Sequence, residues 1–114
     1  MRKTIVFICT VIVVAACKKG GDARKTPVCD GSHPNYNDDI KVIIEGNCNL
    51  ANCHNNGSNN GDFTTFAGLE VVIADGSFKR EVLTDQTMPK GSATLSQKNL
   101  NIIQCWVNDN YPEN

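Results

Sequence analysis

Two short strings in this 114-residue chain have the residue types and spacing to do chemistry: Cys48-Asn49-Leu50-Ala51-Asn52-Cys53-His54 and Met88-Pro89. A cysteine followed directly by histidine, with a second cysteine a few residues upstream, is the arrangement that attaches haem covalently. The reason is geometric, since each sulfur adds to one vinyl group of the porphyrin while the adjacent imidazole is carried under the ring to iron. The same residues also fit other arrangements. Cys29, Cys48, Cys53 and Cys105 can form two disulfides in an exported chain, with three connectivities open. Cys48 and Cys53 would then close a small loop, with His54 on the surface and Met88 filling core. A zinc site from Cys48, Cys53, His54 and His33 is a third arrangement, but it lacks the close paired spacing of ordinary zinc motifs.

Export is written into the N-terminus. Arg2 and Lys3 precede the apolar run Ile5 to Val14, followed by Ala15, Ala16 and Cys17, which is the pattern of a secretory signal peptide over residues 1–16. The apolar run has 10 residues, short of the ~20 a spanning helix needs. Val14-Ala15-Ala16-Cys17 resembles a bacterial lipobox, which implies a lipidated Cys17 as the first mature residue and loss of Cys9 with the signal. The expectation is a protein anchored to a membrane without crossing it, in the bacterial cell envelope, on the outer membrane or the periplasmic face of a membrane.

The modest net charge of −1 conceals two blocks. Residues 17–28 carry Lys18, Lys19, Arg24 and Lys25 against Asp22, a net +3, with almost no apolar content. They read as a flexible basic tether, either solvated or lying near lipid headgroups. Residues 29–114 carry 5 basic and 11 acidic side chains, a net −6, which excludes a basic nucleic-acid binder. These 86 residues (114 minus 28) form one small domain whose core is marginal without a staple.

The elements that must position the chemistry are helical, and the fold class is all-α. Asn37 or Asp38 can cap a first helix with Ile40, Ile43 and Ile44 on one face, ending near Gly46 and delivering the chain into Cys48. After the polar loop Asn55 to Gly61, Thr64 or Thr65 can cap a second helix carrying Phe66, Leu69, Val71 and Val72, with Gly76 as its stop. Phe78, Val82 and Leu83 suggest a further helical turn. Ser96 can cap a last helix with Leu100, Ile103, Trp106 and Val107 on one face. Val71-Val72-Ile73 is also compatible with a short strand.

Taken together, the span from about Tyr36 to Tyr111 resembles a small class I cytochrome c domain of three to four short helices around a haem. The residues that carry the resemblance are Cys48, Cys53 and His54, Met88-Pro89, and Trp106-Val107 in the last helix. It is similar in particular to short Bacteroidetes-type lipoproteins that hold such a domain behind a lipobox. The resemblance implies covalently bound haem c attached at Cys48 and Cys53, with His54 as proximal and Met88 as distal iron ligand. It also implies first and last helices packed on each other, and a ring buried by Ile43, Leu69, Leu100 and Trp106. One feature departs from the pattern: four residues, Asn49 to Asn52, separate the cysteines where the family has two. Met88 is the only methionine left once Met1 goes with the signal.

Cys29 and Cys105 remain as a pair, and their disulfide would close a loop of over seventy residues. His33 stands in the turn-rich stretch Asp30-Gly31-Ser32-His33-Pro34-Asn35 and reads as a solvated turn histidine in preference to a distal ligand. The acidic residues Asp38, Asp39, Asp62, Asp75 and Asp85 are scattered near helix ends, as caps are. No nucleophile elbow, phosphate loop or acid-base pair is present. The expected function is single-electron transfer by a non-enzymatic carrier, with a basic redox partner favoured by the acidic domain. The competing class is a haem-free, disulfide-stabilised envelope lipoprotein acting as a binding or structural module.

Overall fold

Asn35 opens the helical part of the chain. Its side chain accepts a hydrogen bond from the Asp38 amide at 2.9 Å, and its own amide donates to the Asp39 carboxylate at 3.1 Å. This reciprocal cap satisfies donors that a helix start leaves unpaired, and it puts two carboxylates beside the positive end of the helix dipole. The chain then passes through a π-helical turn, Tyr36–Ile40, into α1, Lys41–Asn47. The cap thus falls two or three residues earlier than periodicity suggests, because Asn35 can exchange bonds with both aspartates while Asn37 and Asp38 already lie inside the turn.

The structure is a computed structural model that describes residues 24–91 and 94–114. The signal peptide, Cys17 and the tether up to residue 23 lie outside the described residues. Thr65 caps α2, Phe66–Ala74, by accepting from the Gly68 amide at 3.2 Å. Gly76, at φ 76°, turns the chain out of α2 in the left-handed conformation that glycine adopts without a Cβ penalty. A short α3, Ser77–Lys79, runs into a π-helical stretch, Arg80–Thr84. Ser96 caps α4, Gln97–Asn108, accepting from the Asn99 amide at 3.1 Å. Among the described residues no strand forms, and Val71-Val72-Ile73 is helical. None of the described helices is long and apolar enough to cross a membrane.

Packing converges on Trp106, which is fully buried. Its ring lies 5.0 Å from Tyr111, 5.8 Å from Phe78 and 6.5 Å from both Tyr36 and Phe66, measured between centroids. The indole nitrogen donates to the Pro112 carbonyl at 2.9 Å, so its single polar atom is satisfied inside the core. Ile40, Ile43 and Ile44 join Leu100 and Ile103 in the same core, and α4 packs on the Tyr36–Ile40 turn. The C-terminal tail closes this junction, with the Tyr36 and Asn37 amides donating to Pro112 and Glu113 carbonyls at 2.9 and 3.1 Å. Cys29 and Cys105 are disulfide-bonded, their Cα atoms 4.7 Å apart across 76 positions of sequence.

Composition places Lys25–Val28 in the spacer, yet this segment lies bound along the domain. The Lys25 amide donates to Gln86, the Val28 amide to Asn101 at 2.9 Å, and Gln97 donates to the Thr26 carbonyl at 2.8 Å. These are bonds to backbone groups of the segment, which every sequence supplies, so its polar side chains conceal them.

Candidate functional site

α1 ends at Asn47 and hands the chain to Cys48 at its C-cap. The four residues that follow are taken up by a tight turn in which the Cys53 amide donates to the Leu50 carbonyl at 2.9 Å. Asn52 adopts φ 64°, a left-handed conformation that asparagine tolerates better than most residues. The His54 amide then returns to the Cys48 carbonyl at 3.2 Å. By these bonds the long spacer doubles back, leaving Leu50, Ala51 and Asn52 exposed while Cys53 and His54 stay adjacent to the Cys48 backbone.

His54 is oriented from below. Its imidazole stacks on Phe63 with centroids 4.0 Å apart and planes within 4° of parallel. The two residues are also tied by a backbone bond, Phe63 amide to His54 carbonyl, at 2.8 Å. Phe63 is held in turn by Asp62, whose carboxylate accepts from the Thr64 amide at 2.9 Å, from the Thr64 hydroxyl and from the Gly57 amide at 3.3 Å. These bonds hold the Asp62 carboxyl below its ordinary value, the Thr64 side chain contributing most. Nδ1 of His54 is buried without a hydrogen-bond partner among the described residues. An imidazole nitrogen left in that state carries a desolvation cost of about 1–3 kcal/mol.

Met88 approaches from the other side of the fold. The Thr87 and Met88 amides both donate to the Glu81 carbonyl, at 2.9 and 3.2 Å, so the first turn of the Arg80–Thr84 stretch helps set the loop that carries the thioether. Cys48, Cys53, His54 and Met88 all line a single cavity of about 470 Å³, within the range of ~300–1,000 Å³ common for ligand sites. Its apolar wall is Leu50, Phe63, Val72, Phe78 and Val82, and its polar margin includes Asn60, Glu81 and Lys90. Ile43, Leu69, Leu100 and Trp106, expected to bury a ring, instead belong to the buried core with Ile40, Ile44 and Ile103 and are not part of this lining.

Both cavity thiols are free. Burial pushes the Cys48 thiol up from 9.0 to about 11, with the neighbouring Cys53 adding to the shift, while Cys53 itself is exposed. His33 does not join them; its Nδ1 lies 2.7 Å from an Asp109 carboxylate oxygen, and its side chain is 83% exposed. Among the described residues, the one group of three metal-ligand-type side chains with donor atoms within 4.8 Å is Cys29, Asp30 and Cys105, two of which are spent in the disulfide. Among the described residues, the donor atoms of Cys48, Cys53 and His54 do not form such a group. Phe63, Asn60, Glu81 and Lys90 have no signature of spacing in the sequence; Phe63 at the exit of the Asn-rich loop is the only one that an isolated aromatic would have flagged.

No protein-family model matches this chain, and neither a curated protein nor a solved structure matches it.

Proposed function

We propose that this protein is a monohaem c-type cytochrome that carries single electrons in the bacterial cell envelope, tethered to a membrane by lipid on Cys17. The observation that carries the reading is the convergence of two free thiols, an imidazole and a thioether on one mostly apolar cavity. The donor set suits haem. Cys48 and Cys53 would hold it covalently, His54 would be the proximal ligand and Met88 the distal one. When bound, the group supplies a one-electron iron couple, and a His and Met pair sets it at a higher potential than two imidazoles do.

The chain's own residues do the remaining work. Phe63 fixes the plane of the imidazole, and the unpartnered Nδ1 marks His54 as a ring whose polar atoms the fold alone does not satisfy. Val72, Phe78 and Val82 give the cavity an apolar wall that lowers the local dielectric, which favours the less charged state of any redox centre held there. His54 and Met88 would both hold the iron and would leave it no site for a substrate, which favours the role of carrier over that of enzyme. The acidic domain, net −6 over residues 29–114, favours a basic protein partner with salt-dependent encounter.

The test is production with a haem-maturation system. The expected result is a Soret band that stays with the polypeptide after denaturation. A colourless protein, with Cys48 and Cys53 unmodified, overturns the reading. In the coloured protein, Met88→Ala changes the ferric spectrum and lowers the potential, while His33→Ala leaves both intact; an unchanged spectrum in Met88→Ala rejects the thioether as ligand.

A further inference from the structure

Lys25 touches both ends of the loop that carries Met88. Its backbone pairs with the Gln86 side-chain amide, the Lys25 amide donating to Oε1 at 3.0 Å and Gln86 Nε2 donating back to the Lys25 carbonyl. Its ammonium reaches past the loop to the Leu95 carbonyl at 2.8 Å and the Thr94 hydroxyl at 3.4 Å. Between these two anchorages runs the segment containing Met88. Gln86 holds φ 51°, a left-handed conformation unfavourable for a residue with a long side chain. Apart from the paired bonds to Lys25, its amide makes, among the described residues, only a 3.4 Å contact to the Leu83 carbonyl. The loop is therefore not positioned by its own packing alone; a separate segment, sixty-one positions away, holds its entrance and its exit.

We infer that Lys25 and Gln86 form a strap that positions Met88 in the cavity, so that the segment leading to the membrane anchor also governs the distal ligand. The consequence for the ligand rests on the haem reading; the strap itself does not. Breaking the strap leaves the Met88 loop held through its Thr87 and Met88 amide bonds to Glu81 and loosens it, which opens the Met88 side of the cavity more often to solvent and to added ligands. Lys25 and Gln86 are positioning residues, since they act through Met88 and do not line the cavity.

Three variants of the full chain separate the contributions. Lys25→Ala removes the ammonium bonds, Gln86→Asn keeps an amide and tolerates the left-handed backbone but is one methylene too short to pair with Lys25, and Lys25→Arg keeps a cationic donor. In haem-free protein, hydrogen exchange at Thr87 and Met88 should rise about tenfold in the first two variants, the change expected for one lost hydrogen bond to a charged or paired group, and return in Lys25→Arg. Amides of α1 and α2 should be unchanged. In haem-loaded protein the same two variants should bind added imidazole about tenfold more tightly and lose intensity in the sulfur-to-iron charge-transfer band, again with rescue by Lys25→Arg. Unchanged loop exchange in both Lys25→Ala and Gln86→Asn overturns the strap, and faster exchange with unchanged imidazole affinity overturns its control of the ligand. A wild-type protein that takes up no haem removes the cofactor reading while the exchange experiment still decides the strap.

Discussion

Reducing Cys29–Cys105 should cost this small domain a large part of its stability. The bond spans 76 positions, and the chain-entropy relation gives a loss of about 15 cal/mol/K for a loop of that length, or ~4.5 kcal/mol at 25 °C. A domain of this size has a total stability of about 5–14 kcal/mol, so the reduced form keeps between almost nothing and two-thirds of it. With a urea slope of ~1 kcal/mol/M, the midpoint should fall by about 4.5 M. The assay is urea unfolding followed by Trp106 fluorescence, with and without reductant, on haem-free protein. Reductant is selective here because Cys48 and Cys53 are already free thiols. It is also gentler than substitution at Cys105, which is 1% exposed and would leave a small void as alanine. A midpoint shift below about 1 M would refute the reasoning. It would mean that the bound segment Lys25–Val28 and the Tyr36 junction already hold the chain's N-terminal end when the bond is open.

Gly68→Ala should destabilise by about 2–3 kcal/mol even though alanine is the better helix former by ~1 kcal/mol, because its Cβ would clash with the Asp62 backbone carbonyl; thermal unfolding checks the sign. Thr65→Ala should lose about 1 kcal/mol through the α2 cap and leave the cavity thiols unaffected, as read by unfolding and thiol titration. Cys48 at about 11 instead of 9.0 has roughly a hundredfold less thiolate at pH 8 than an ordinary thiol, so iodoacetamide should label exposed Cys53 first, with mass mapping of the labelled peptides as the readout. Asp62 is held below its ordinary value of 3.8, so its support of the Gly57–Thr64 turn is complete above that value and is lost as pH falls through the depressed one. The Gly57 and Thr64 amide resonances should therefore shift as pH falls below 3.8, and Asp62→Asn should abolish that step; an Asp62→Asn variant that keeps it would contradict the assignment.

Much of the helical frame is legible without coordinates. Thr65 and Ser96 cap α2 and α4 as their positions before apolar-periodic runs imply, and Gly76 ends α2. Leu100, Ile103 and Trp106 share a buried face because their spacing puts them on one side of a helix whatever the rest of the fold does. The start of the Tyr36–Ile40 turn is less legible, because Asn35 follows Pro34 in a stretch rich in turn residues. Its role as cap depends on a bond to Asp39 that forms only once the turn has closed.

Around the candidate site the division is sharper. Residue chemistry in the sequence singles out Cys48, Cys53, His54 and Met88, since few side chains offer nucleophilic sulfur, imidazole or thioether, although four residues separate the cysteines where the pattern they resemble has two. Helix periodicity likewise determines which faces are apolar, because it is a local property of the backbone. Only the tertiary structure decides that Met88 and His54 line the same cavity, that Phe63 stacks under the imidazole, and that Lys25 belongs to the domain. Those facts depend on segments tens of residues apart meeting through backbone carbonyls and ring faces, groups whose partners no local pattern specifies. The side chains carry the chemistry, and chain crossings decide whether it is assembled.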